Sequence, residues 1–155
     1  MNYVQDKIRI AKACLHYFEE PCISGKSGSG TIFFSGCNLN CKFCQNYKIS
    51  QEKIGQEINI EDLAEKMITL EKEGANNINF VTGFMYIPHI VKAIKSARNR
   101  GLKVPIVYNS SGYESVEALK LLDGYIDIYL PDFKYYYDEL AVNLSNASKY
   151  FEIAR

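Results

Sequence analysis

Two rhythms alternate along this chain: short runs of consecutive β-type residues, and longer stretches in which apolar side chains return every three or four positions. Val4, Ile8, Ala11, Leu15 and Phe18 fall on one helical face that stops before Pro21, which predicts an N-terminal docking helix. The Gly- and Ser-rich segment 22–30 predicts a loop. Thr31 to Phe34 reads as a first strand, followed by Ser35, Gly36 and a cysteine-bearing segment. Asn59 is placed to cap a helix from Ile60 to about Glu73, because Ile60, Leu63, Ala64, Met67 and Ile68 share a face and Gly74 follows the last turn. Asn77 to Val81 is strand-like. The next helical face carries Ile87, Ile90, Val91, Ile94 and Ala97, with Pro88 in its first turn and Gly101 past its end. A strand over Val104 to Tyr108, a short helix capped by Ser115, a strand over Ile126 to Leu130 and a last helix between Asp138 and Arg155 complete the pattern.

The order predicts an α/β protein: a helix followed by about four strand-helix units in a parallel sheet with right-handed crossovers. A doubly wound sheet and a β/α barrel both satisfy it. With 155 residues, 47% of them hydrophobic and 23% charged, the chain fits a single domain spanning 1–155. Lys plus Arg (18) balances Asp plus Glu (18), so no whole-molecule basic field exists to hold nucleic acid or an anionic membrane. No stretch approaches the roughly 18 apolar residues of a membrane span, and Met1 to Lys7 lacks the order of a signal peptide, so the expectation is a cytoplasmic protein. Tyr150, Phe151 and Ile153 keep near-helical apolar spacing up to the last residue, Arg155, which predicts a chain shorter than the fold it belongs to.

Five cysteines is an odd number in a chain long enough to build a core, which argues for reduced thiols over a disulfide framework. Cys37, Cys41 and Cys44 form C-x3-C-x2-C within the cluster loop 35–47. Thiolates are soft ligands for iron-sulfur clusters and zinc, and three on one loop can hold three corners of a compact metal centre while leaving one coordination position open. The same spacing also admits a buried helical stripe of small residues, against which Gly36, Asn38 and Asn40 speak. A zinc site completed by His16, His89 or Cys22 is the other alternative. Gly25-Lys26-Ser27 is not a phosphate loop, because the glycine required five residues earlier is Glu20. Tyr135, Tyr136 and Tyr137 either cover a pocket mouth or pack against a helix.

C-x3-C-x-aromatic-C, with Phe43 in the aromatic place, resembles the signature of radical S-adenosylmethionine enzymes, and it directly follows the first strand of the β/α series. Further text from Glu19 to Gly25, Gly28 to Thr31, Phe34 to Cys37, Cys44 to Asn46 and Asp127 to Lys134 is similar to an uncharacterised, pyruvate formate-lyase-activating-enzyme-like branch. The resemblance extends from about Ala13 to Tyr136. It implies a partial TIM-type barrel and a 4Fe-4S cluster on Cys37, Cys41 and Cys44, with S-adenosylmethionine chelating the open iron. One-electron cleavage of the cofactor would then give a 5′-deoxyadenosyl radical for hydrogen abstraction, with activation of a glycyl-radical protein as one destination. A reductant such as flavodoxin or ferredoxin is implied as partner. Phe43, Asn109, Ser110, Asp132 and Lys134 match family positions near the cofactor: Lys134 for its carboxylate, and Asp132, Asn109 and Ser110 for its amino group or a nearby cation.

Two departures stand out. Where activating enzymes carry Gly-Gly-Glu after the second strand, this chain reads Val81-Thr82-Gly83-Phe84-Met85-Tyr86, leaving Thr82 and backbone carbonyls to serve. The pattern also supplies fewer strands than the family barrel, which predicts a missing C-terminal part and an exposed sheet edge. Three readings follow: a radical enzyme, a non-catalytic iron-sulfur or zinc-binding fragment, or a chain whose barrel is completed by a separate one.

Overall fold

The computed structural model describes residues 7–155. The strands are β1 (Ile8–His16), β2 (Ser29–Phe34), β3 (Gln56–Ile58), β4 (Ile78–Val81), β5 (Ile106–Ser110) and β6 (Ile128–Pro131). The helices are α1 (Pro21–Ser24), α2 (Tyr47–Ser50), α3 (Ile60–Lys72), α4 (Ile87–Asn99), α5 (Val116–Lys120), α6 (Asp138–Ser145) and α7 (Tyr150–Ala154). All six described strands join one open sheet in the order β3-β1-β2-β4-β5-β6. The run β2-β4-β5-β6 is parallel, whereas β1 pairs antiparallel with β2 and β3. The expected α/β class and unclosed, barrel-like parallel sheet are therefore present.

The N-terminal helix is not. Residues Ile8 to His16 form a strand between β2 and β3, and Val4 lies outside the described residues. A bulge explains the misleading period. Ile10 pairs with Phe34 but Lys12 with Phe33, so one extra residue at Ala11 shifts the alternation. Ile8, Ile10, Ala13 and Leu15 then all reach the core, so the strict alternation of a strand is broken in sequence while Ile8 and Leu15 remain on the face the helical reading assigned them.

Local signals hold elsewhere. Asn59 and Asp62 form a reciprocal capping box at the start of α3, and the Ser115 hydroxyl accepts from the Ala118 N–H at the start of α5. Apolar faces of α3 and α4 cover one side of the sheet, where Leu63, Met67, Ile90 and Ile94 meet Ile32, Phe80 and Ile106. The predicted last helix is two helices, because Asn146 and Lys149 take left-handed conformations (φ 53° and 56°) between α6 and α7. Within the described sheet β6 pairs on one side alone, with β5, and its Ile128 and Tyr129 are 37% and 43% exposed. Among the described residues no helix is long and apolar enough to cross a membrane.

Candidate functional site

Register sets the floor of the site. Phe33, Val81, Asn109 and Leu130 are successive partners across the four parallel strands, so the carboxyl ends of those strands finish level. Ligand groups in parallel β/α sheets gather at such ends. Here a cavity of about 200 Å³ opens above that row. Cys37, Cys41 and Cys44 line it from the loop after β2, Thr82 from the end of β4, Asn109 and Ser110 from β5, and Asp132 and Lys134 from the segment after β6. Residues far apart in sequence, at 37–44, 109–110 and 132–134, thus face one space. Phe43 does not line it and is 57% exposed. Nor do His16, His89 or Cys22 line it.

The loop is held by its neighbours. The Asn38 amide donates to the Tyr113 carbonyl at 2.6 Å, and the Ser111 hydroxyl donates to Asn38 Oδ1 at 3.2 Å, which ties the cysteines to the turn after β5. Gln51 Nε2 donates to the Leu39 carbonyl at 2.8 Å. Each sulfur has a polar companion: the Leu39 N–H donates to Cys37 at 3.4 Å, the Ser145 hydroxyl to Cys41 at 2.9 Å, and Cys44 meets Ser50 Oγ at 3.2 Å. All five cysteines are free. Among the described residues no three His, Cys, Asp or Glu side chains converge as ligands of a single metal ion.

Charge is arranged around the thiols. Burial raises the Cys37 pKa; the Leu39 N–H pulls against it, while the neighbouring Cys41 and Cys44 add to the rise. Three half-buried thiols from one loop face the same cavity, and soft sulfur donors suit iron-sulfur irons. The residues present therefore fit a cluster held from the loop. Lys134 Nζ pairs with Asp132 Oδ2 at 2.5 Å. Burial lowers the lysine's pKa, but the Asp132 hydrogen bond and charge, with Cys41 and Tyr150, outweigh it and leave the ammonium proton held more tightly than usual.

Several contributors carry no sequence motif. Tyr150, wholly buried on α7, donates toward the carbonyls of Ser111 (2.7 Å) and Asp132 (3.1 Å) and accepts from the Lys134 N–H (3.0 Å). Gly112 sits beside it at φ 71°, and a Cβ there would come within 2.3 Å of the Asp132 carbonyl oxygen, so the turns after β5 and β6 touch only because this residue is glycine. Of the three tyrosines, Tyr135 is buried against α6, while Tyr136 and Tyr137 are each 65% exposed. Thr82 takes φ 61°, unusual for a β-branched residue, at the cavity wall where the Gly-Gly-Glu motif is missing. That dihedral is invisible in sequence.

Glu114 is the remaining buried acid near the wall. It accepts from the Ser110 hydroxyl at 3.1 Å; burial lifts its pKa, the bonds from Ser110 and the Ser111 backbone oppose that, and Asp132 adds to the rise. Because the folded protein holds this proton more tightly than the unfolded chain, the associated stability is complete below the ordinary glutamate value and is lost as pH climbs through the raised one. Glu114→Gln, which keeps the shape and removes the charge, is expected to melt a few degrees above the parent at pH 8 and level with it near pH 4, followed by circular dichroism.

An unclosed parallel β/α sheet with a three-cysteine loop after its first parallel strand defines a class, and comparison with known proteins agrees with it. A sequence model of the radical SAM superfamily matches residues 31–153, and the chain belongs to that superfamily. It is also 38% identical over 134 residues to a Methanocaldococcus jannaschii protein named Uncharacterized protein MJ0674, an alignment covering 82% of this chain and 39% of that one. The chain thus spans well under half the length of that relative. Members of the superfamily generally use a 4Fe-4S cluster with S-adenosylmethionine, and membership supports an enzyme of this type.

Proposed function

We propose that Cys37, Cys41 and Cys44 hold a 4Fe-4S cluster, that S-adenosylmethionine binds against Thr82, Asn109, Ser110, Asp132 and Lys134, and that the chain belongs to the pyruvate formate-lyase-activating-enzyme-like branch. The observation that carries this reading is the single cavity lined by all three thiols and by the polar ends of β4, β5 and the segment after β6. When bound, the cluster and cofactor together supply one-electron reductive cleavage and hydrogen-atom abstraction.

The chain's own residues bind and orient. The Lys134 ammonium, held by Asp132, presents a fixed positive charge to the cofactor carboxylate, while the Asp132 carboxylate and the Asn109 and Ser110 side chains offer acceptors to its amino group. Thr82 lends its hydroxyl and neighbouring carbonyls where the parent family has a glutamate. Phe33, Phe34 and Val81 supply an apolar wall that keeps water from the reacting end. A glycyl-radical protein as hydrogen donor and a flavodoxin or ferredoxin as reductant are partners that the branch resemblance over residues 13–136 implies.

Lys134→Met tests the cofactor part. Titration calorimetry of the reconstituted protein is expected to show S-adenosylmethionine affinity about tenfold weaker, equivalent to ~1.4 kcal/mol. Unchanged affinity would remove Lys134 from the site.

A further inference from the structure

Ser145 ends α6, yet it is wholly buried and its hydroxyl lies 2.9 Å from Cys41 Sγ, to which it donates across 104 residues of sequence. Behind it, Tyr135 Oη is 2.5 Å from the same serine oxygen. Each hydroxyl has one proton. With the serine proton committed to sulfur, the tyrosine proton goes to the serine oxygen, and the two groups form a directed chain, Tyr135 to Ser145 to Cys41. The backbone repeats the grip: the Asn40 N–H donates to the Ser145 carbonyl at 3.0 Å and the Lys42 N–H to the Leu144 carbonyl at 2.8 Å, one on each side of Cys41. The other two sulfurs are served from nearby, Cys37 by Leu39 and Cys44 by Ser50. Cys41 alone among the three has a hydroxyl donor from the far end of the chain.

We propose that Ser145, aimed by Tyr135, is a positioning residue that fixes the Cys41 sulfur and raises the reduction potential of the metal centre on it. The inference rests on the reading that Cys41 is a cluster ligand. A hydrogen bond donated to a ligating sulfur draws off electron density and favours the state carrying more negative charge, so its loss makes the centre harder to reduce. Burial of both hydroxyls keeps water from substituting for them.

The test is a redox titration, followed by electron paramagnetic resonance, of the full chain reconstituted anaerobically with iron and sulfide. Ser145→Ala is expected to lower the reduced-to-oxidised ratio at a fixed potential about tenfold, a negative midpoint shift of ~59 mV for a one-electron couple. Iron content and circular dichroism should stay at parental values. Ser145→Thr, which restores the hydroxyl, should return the midpoint to that of the parent, and Tyr135→Phe should shift it in the same direction as alanine by less. If Ser145→Ala does not load, Tyr135→Phe decides, and a parental midpoint in it then overturns the inference. Parental midpoints in both Ser145→Ala and Tyr135→Phe, with the parent loaded, overturn this inference alone. A parent chain that assembles no cluster overturns the underlying reading together with it.

Discussion

Replacing any one of Cys37, Cys41 or Cys44 by alanine is expected to reduce reconstituted iron and acid-labile sulfide to background, a loss exceeding the about 10–100-fold that follows removal of outer-shell partners. The three thiols line one cavity and each has its own polar companion, so none can substitute for another. Cys14→Ala and Cys22→Ala serve as controls. Cys14 lies in β1 and Cys22 is exposed in α1, and neither lines the cavity. Their iron and sulfide contents should match those of the parent, measured by colorimetric assay after gel filtration. Full loading of a Cys37, Cys41 or Cys44 variant, or loss in either control, would reassign the ligand set.

The second large effect belongs to stability. Tyr150→Phe removes one hydroxyl, on a wholly buried ring, that joins Ser111, Asp132 and Lys134. Phenylalanine keeps the ring, its near-parallel stacking on Tyr113 and its edge contact with Tyr135, so the loss reads the polar group alone. Leaving an N–H or carbonyl without its partner costs about 1–3 kcal/mol where water is excluded, and less at exposed Asp132 and half-buried Ser111 and Lys134, where water can replace part of the bond. We expect a total of about 2–4 kcal/mol in urea-unfolding free energy. Weaker S-adenosylmethionine binding should accompany it, because the turn that follows Asn109 and Ser110 and the segment bearing Asp132 and Lys134 lose their common brace. A change under about 0.5 kcal/mol would show that these turns are held by packing instead.

Much of this architecture is legible in the residues. The capping box at Asn59, the serine cap at Ser115 and the apolar faces of α3 and α4 depend on neighbours a few positions away, and such local rules transfer directly from sequence to structure. β1 is misread because a bulge at Ala11 adds a residue to the strand and breaks the alternation of two by which a strand is recognised. β3 is too short, at three residues, to show any period. In the site, cysteine spacing and the Asp132-Phe133-Lys134 text point to residues that do meet at the cavity. What sequence does not disclose is the support: Ser145, Tyr135, Tyr150 and Glu114 reach the site through contacts across the fold, and nothing in their local context distinguishes them from ordinary packing residues. The left-handed Thr82 belongs with them, since a strained dihedral leaves no mark on composition.

A 4Fe-4S cluster held by three thiols would leave one iron open to the cofactor, and one spectrum reads that position. Electron paramagnetic resonance of the dithionite-reduced, reconstituted chain should show an S = 1/2 cluster signal whose g-values shift when S-adenosylmethionine is added, as direct binding to one iron requires. A signal that is identical with and without the cofactor, at concentrations saturating by calorimetry, would show that S-adenosylmethionine does not bind the cluster.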